Sequence, residues 1–220
     1  MSQMWTLVFN ATIQTLEMVL FSTIFSLLLG LPLGVILHVT GSEEHGGIKP
    51  MPLFNSIIGR IVNVLRSFPF IILMILLIPL SRLIVGTSIG TKATIVPLSI
   101  AAAPFVARII ESALKEVDPG VVQAARAMGS TNWQIIRKVL IPEALPSLVS
   151  GITLTIINLI GYSAMAGAIG GGGLGDLAIR YGYQRFRPSY MVAAVIVILV
   201  MVELVQVIGD KLSGHLLAKR

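Results

Sequence analysis

The sequence predicts an all-α integral membrane protein with about five transmembrane helices, N-terminus outside and C-terminus inside. Three observations carry this. Of 220 residues, 55% are hydrophobic and only 12% are charged, about half the charged share of roughly 25% usual in a soluble domain. Apolar stretches recur at spanning length: residues 18–37 hold no charge at all, and twenty helical residues rise about 30 Å, the thickness of a bilayer core. Lys and Arg are also unevenly divided among the loops, as the positive-inside rule requires. The absence of cysteine excludes disulfides and thiolate metal sites. The net charge of +6 then reads as basic loops on one membrane face rather than as a nucleic-acid surface.

Residues 1–11 read as a short external stretch. No Lys or Arg precedes Lys49, so the basic region of a cleaved signal is missing. Span one is expected over 12–39, where Gly30 and Gly34 allow another backbone close approach. Span two is expected over 56–80. Arg60, Asn63 and Arg66 lie in its first half, where long basic side chains snorkel to the interface, and Pro69 and Pro79 predict kinks. Residues 81–92 read as a loop. Span three, 93–111, contains Pro97 and Pro104 and is the weakest by hydropathy. Span four, 144–167, is uncharged, and span five, 189–209, carries Glu203 as its one charge. Residues 210–220 form a tail on the inner side.

With the loop after span one inside, the inner set is Lys49, Arg60, Arg66, Arg108, Lys115, Arg126, Arg137, Lys138, Lys211, Lys219 and Arg220. The outer set is Arg82, Lys92, Arg180, Arg185 and Arg187. Eleven against five places the N-terminus out and the C-terminus in, as an odd number of spans demands.

The loop at 112–143 is the most informative segment. Asp118-Pro119 is a helix start, Asp as N-cap and Pro at the first helical position. A short helix follows through Met128, and Gly129 stops it. Ser130 or Thr131 can cap a second helix carrying Trp133, Ile135, Ile136, Val139 and Leu140, which Pro142 is expected to close. This is a helix-turn-helix against the membrane face, with Ala124, Ala125 and Ala127 leaving a low surface for a docking protein. A simple amphipathic interfacial loop is the other reading.

The run QAARAMGSTNWQIIRKVLIP, residues 123–142, resembles the EAA loop of type I ABC importer permeases: Glu-Ala-Ala, three residues, Gly, nine residues, then Ile-x-Leu-Pro. The matches are Ala124, Ala125, Gly129 and Pro142, with Val139 and Ile141 as apolar equivalents. Gln123 stands where the family usually has Glu. The segments NVLRSFPFIIL, AAAPFVARIIESAL, LIPEALP and GYSAMAGAIGGGGLG extend the resemblance over nearly the whole chain, to the permease of the D- and L-methionine importer family.

The resemblance implies a homodimeric, multi-pass permease in the bacterial inner membrane. It implies two copies of a separate ABC ATPase and a periplasmic or lipoprotein substrate-binding protein. Gln123, Ala124, Ala125, Arg126, Gly129, Val139, Ile141 and Pro142 would couple the chain to the ATPase. ATP and Mg would sit on the partner, this chain binding no cofactor and doing no catalysis. No nucleic-acid partner is expected.

Other features divide between chemistry and packing. No G-x-x-x-x-G-K-[ST] is present, so no P-loop can hold ATP here. Gly170, Gly172 and Gly175 match G-x-G-x-x-G, but no strand precedes them, and an outer-face loop or tight interhelical packing is the better reading. Glu203 is expected in polar packing or paired with Arg108 or Arg66, with a proton relay as the alternative. Glu17 reads as interfacial. Asn158, Tyr162, Ser163 and Met165 are candidates for a translocation path or gate, against ordinary packing. His38, His45 and His215 are widely separated, which argues against a metal site.

Three functional classes remain. The first is the permease of an ATP-driven importer for methionine or another small amino acid. The second is an oligopeptide or anion permease of the same superfamily. The third is a self-powered secondary transporter, against which stand the lack of an internal repeat and the odd span number.

Overall fold

A computed structural model describes residues 2–43 and 46–218. Among these residues all regular structure is helical, in the order α1 (Ser2–Val39), α2 (Pro52–Ser67), α3 (Phe70–Leu76), α4 (Ile78–Val85), α5 (Thr91–Lys115), α6 (Pro119–Ala127), α7 (Asn132–Ile135), α8 (Ile141–Gly167), α9 (Gly173–Leu177) and α10 (Pro188–Leu217). Among the described residues four helices are long and apolar enough to cross a bilayer: Gln3–Val39, Thr91–Lys115, Asn132–Gly167 and Pro188–Leu217. Lys219, Arg220, Glu44 and His45 lie outside the described residues.

Several expectations need correction. Residues 2–11 are helical, so α1 starts well before residue 12. The region expected as one kinked span over 56–80 is three helices. The chain bends by 99° between α2 and α3, where Pro69 caps α3 without a side-chain hydrogen bond because its ring cannot continue the preceding helix. Pro79 opens α4 and does not kink a longer helix. The expected loop at 81–92 is mostly helix, since α4 runs to Val85 and ends on Gly86 at φ 82°, a left-handed cap that glycine adopts freely.

The described chain forms two compact units: Met1–Ser26, Phe68–Ala102 and Leu154–Val207, and Leu27–Ser67, Ala103–Thr153 and Ile208–Arg220. In the first, Met18, Leu98, Leu159, Leu174 and Ala194 are fully buried. Here the Gly-rich stretch serves packing. A Cβ on Gly175 would fall 2.1 Å from the Ala164 carbonyl oxygen, and one on Gly167 would fall 2.1 Å from the Asp176 nitrogen, so α8 and α9 touch through backbone. The α9 amino end is tied to α1, with Gly173 N donating to Gln14 Oε1 and Leu174 N to Thr15 Oγ1, both at 2.9 Å.

In the second unit, Leu114, Ile135 and Leu140 are fully buried. The Gly30–Gly34 spacing is used as expected. A Cβ on Gly30 would lie 2.6 Å from Val106 and one on Gly34 2.6 Å from the Ala107 carbonyl, so the α1 and α5 backbones meet directly. Span three is not the weakest by hydropathy: its window has a mean hydropathy of 1.8, against 1.7 for Asn132–Gly167. In the α5 window 61% of residues are buried within the chain, against 17% in α10. A helix that faces protein can be built from Ser, Thr and Ala, whereas one that faces lipid cannot.

Candidate functional site

The loop at 112–143 has the expected start. Asp118 is the N-cap of α6 and accepts from Gly120 N at 2.7 Å. Gly129 follows the end of α6 at φ 79°, with open space where a Cβ would be. Thr131 is the second cap: it forms a full capping box with Gln134, accepting from Gln134 N at 3.3 Å while Thr131 N donates to Gln134 Oε1 at 2.8 Å.

Pro142 does not close the second helix. α7 passes into a π-helical stretch, Ile136–Leu140, and then directly into α8. Pro142 is the second residue of α8, where a missing N–H costs little because the widened π turn has already altered the hydrogen-bond register. The segment 132–167 is therefore one continuous rod from the loop into the membrane-length helix.

The small residues divide between two faces. Ala125 is buried with Val122 in the core of its unit, so it is not available for docking. Gln123, Ala124, Met128 and Gly129 are exposed, as are Val121 and Trp133, the latter at 67%. Val139 and Ile141 are half-buried against the same core, and Pro142 is exposed. Arg126 turns inward, its guanidinium donating to the Ile48 carbonyl. That contact ties α6 to the segment after α1, where Lys49 N donates to Val39 O at 2.9 Å and Met51 N to Thr40 O at 3.0 Å.

Arg108 donates to Glu111 at 2.6 Å and to the Gly59 carbonyl at 2.7 Å, while Arg66 lies over the Phe105 ring at 5.9 Å. Glu203 is exposed on α10. Glu111, buried at 5% exposure, also accepts from Lys115 at 2.7 Å. The i, i+3 and i, i+4 spacing of Arg108, Glu111 and Lys115 is the sequence signal for this triad.

The path candidates lie in the first unit and separate. Asn158 and Met165 are exposed on α8; with Leu154 and Gly161, also exposed, they form one stripe at helical spacing. Tyr162 is half-buried and stacks on Phe70, centroids 4.4 Å apart and rings 8° from parallel. Nothing in the sequence announced Phe70 as its partner. Ser163 is buried, and its hydroxyl donates to the Ile160 carbonyl of its own helix at 2.7 Å. Among the described residues no cluster of His, Asp and Glu could hold a metal; His38 and His215 stay apart, and His45 lies outside the described residues.

Four spanning-length helices, a bent fifth pair and a capped loop leading straight into one of the long helices define a multi-pass membrane protein of the transport-permease class. The comparisons with known proteins agree. The chain belongs to the family described as binding-protein-dependent transport system inner membrane component, whose family model matches residues 30–216, and this is a family of transport subunits. It is 54% identical to the probable D-methionine transport system permease protein of Vibrio cholerae, covering 94% of this chain and 90% of that protein. It is 51% identical to the D-methionine transport system permease protein of Escherichia coli K12, over 74% of each chain. Among solved structures, a chain of the MetNI methionine ABC transporter in an inward-facing conformation superposes with a TM-score of 0.95 at 45% identity, covering 98% of this chain and 99% of that one. An amino acid ABC transporter solved with histidines gives 0.73 at 23% identity, a likeness of fold alone.

Proposed function

We propose that this chain is the permease subunit of an ATP-driven importer of D- and L-methionine. Two copies would form the translocation path in a bacterial inner membrane. Two separate ATPase chains, carrying ATP and Mg, would drive it, and a periplasmic or lipoprotein binding protein would deliver the solute. The observation that carries the reading is the loop geometry. A short helix with an exposed Val121-Ala124-Met128 face is turned by Gly129 onto a rod that enters the membrane unbroken. Such a device converts motion of a partner at the loop into tilt of α8, a bistable element biased by nucleotide. Methionine as the solute is supported by the names of relatives about half identical to this chain.

The coupling residues in this reading are Gln123, Ala124, Gly129 and Pro142 on the exposed side, with Ala125, Arg126, Val139 and Ile141 holding the loop from within. Asn158 and Met165 on the exposed α8 stripe, with Tyr162 beside them, line the path or its gate.

The test is uptake of labelled methionine into liposomes holding this chain and its ATPase, with the binding protein outside. Uptake that needs internal ATP and is competed only by methionine-like solutes is the expected result. ATP hydrolysis without methionine uptake moves the solute to another small amino acid or an oligopeptide. Uptake driven by an ion gradient with no ATPase present overturns the proposal.

A further inference from the structure

Between α9 and α10 the chain carries an arginine- and aromatic-rich turn, RYGYQRFR at residues 180–187, that no part of the transport reading uses. Its place against a bilayer follows from α10. Arg187 and Asp210 bracket residues 188–209, in which Glu203 is the one charged side chain. These 22 residues rise about 33 Å as a helix, against about 30 Å of bilayer core. A window moved either way takes in Arg187 or Asp210, so hydrocarbon begins where the turn ends. Of the four spanning-length helices α10 is also the least covered by its own chain, with 17% of its window buried. The turn therefore stands at headgroup level beside a helix that faces lipid.

The turn is fixed in that place. Residues 178–183 form a π-helical stretch. A Cβ on Gly182 would lie 2.7 Å from the Met191 Cβ, so the backbone of the turn rests on the first turns of α10. Arg187 N donates to the Gly182 carbonyl at 3.1 Å, and Gln184 N to the Ile179 carbonyl at 2.9 Å. Tyr181 stacks on Tyr190 of α10 with centroids 5.2 Å apart, and the Arg185 guanidinium lies over the Tyr181 ring at 4.5 Å. A guanidinium that gives its face to a ring keeps its N–H edge for an acceptor, and that fork matches a phosphate.

The chain supplies no such acceptor. Arg180 pairs with Asp176 at 2.9 Å, whereas Arg185 and Arg187 have no carboxylate partner among the described residues. Both are exposed. Phe186 stands between them, 87% exposed. Among the described residues it is the one non-glycine residue at positive φ, 53°. For a bulky side chain that conformation is costly, and the ring gains no burial within the chain in return. A membrane interface meets both needs: phosphate oxygens accept from the guanidinium groups, and the ring enters the apolar boundary beneath them. Two like charges two residues apart repel, and a lipid that brings net negative charge relieves this where one carrying its own ammonium does not.

We propose that residues 185–187 bind the headgroup of an anionic phospholipid, Arg185 and Arg187 on the phosphate and Phe186 in the acyl boundary. Continuity with the lipid-facing α10 favours this occupant over an acidic protein surface. The inference rests on α10 crossing the membrane and not on which solute is imported.

The purified permease–ATPase complex, stripped of lipid in detergent, is titrated with phosphatidylglycerol or phosphatidylcholine, and native mass spectrometry reads the bound lipid. Phosphatidylglycerol binds the unaltered complex more tightly than phosphatidylcholine. Arg185→Gln/Arg187→Gln weakens phosphatidylglycerol about tenfold, the loss of one charge-assisted hydrogen bond, and removes the preference. If that variant fails to assemble, Phe186→Gly, which relieves the backbone, still weakens phosphatidylglycerol. Arg82→Gln, at an exposed position outside the turn, changes nothing. Equal affinity of the unaltered complex for the two lipids overturns the proposal. So does an equal fall in Arg82→Gln, since any surface arginine then serves. Unchanged phosphatidylglycerol binding by the double variant also overturns it, and loss of binding-protein association in that variant would reassign the turn to an acidic protein surface.

Discussion

Arg126 donates to the backbone carbonyl of Ile48, so the short helix of the 112–143 loop is fastened to the segment that follows α1. A hydrogen bond from a charged donor is worth about 1.5–3 kcal/mol, and the half-buried setting puts this one at the lower end. Arg126→Ala should leave the ATPase co-purifying but lower the methionine transported per ATP hydrolysed, because α6 can then move without carrying its neighbours. The ratio of uptake to phosphate release in proteoliposomes checks this; an unchanged ratio removes Arg126 from the coupling machinery.

Ala124 and Ala125 are adjacent in the chain but should behave as opposites. Ala124 is exposed and Ala125 is buried at 3%. Ala124→Arg should weaken ATPase association with little change in the thermal stability of the permease. Ala125→Arg should destabilise the fold itself by about 3 kcal/mol or more, since a charge enters an apolar core. Thermal unfolding in detergent, beside co-purification, separates the two effects.

Gly129 has φ 79° and free space around it, so substitutions there are penalised by backbone strain rather than by collision. A non-glycine residue in this region costs about 1–2 kcal/mol, with Asn the most tolerant. Gly129→Asn should retain most transport, Gly129→Val should lose much of it, and Gly129→Glu should leave ATP hydrolysis uncoupled from uptake. Equal transport by all three in well-expressed protein contradicts a coupling role for the turn.

Gly175 is the reverse case, with helical φ and a backbone neighbour 2.1 Å from where a Cβ would stand. Gly175→Ala has to push α9 from α8 and should cost about 1–3 kcal/mol. A lowered unfolding temperature of the purified permease is the expected readout.

Glu111→Gln leaves Arg108 and Lys115 without their shared carboxylate. Breaking a fully buried pair costs about 3–5 kcal/mol; with Lys115 at 42% side-chain exposure, about 2–3 kcal/mol is expected. Unfolding measured in Glu111→Gln and in Glu111→Gln/Lys115→Met should show the second change recovering part of the loss.

Much of this protein was legible in its sequence, because a bilayer leaves few choices. Backbone groups in hydrocarbon must bond within a helix, so apolar length alone announced the long helices. Local rules were equally direct where a few consecutive residues decide the outcome: Asp118 with Pro119, Thr131 with Gln134, and Gly129 at a positive φ were each readable from their neighbours. The EAA-like spacing carried the family. What tertiary structure decided is everything that depends on a second segment. Whether Pro69 kinks a span or breaks it depends on what receives the redirected chain. Ala124 and Ala125 look alike until packing chooses which one faces the core. Ser163 turns its hydroxyl onto the Ile160 carbonyl of its own helix, and Tyr162 gains Phe70 from 92 residues away. Helix formation is local, so adjacent residues encode it; burial and pairing join distant residues, and only the folded chain specifies them.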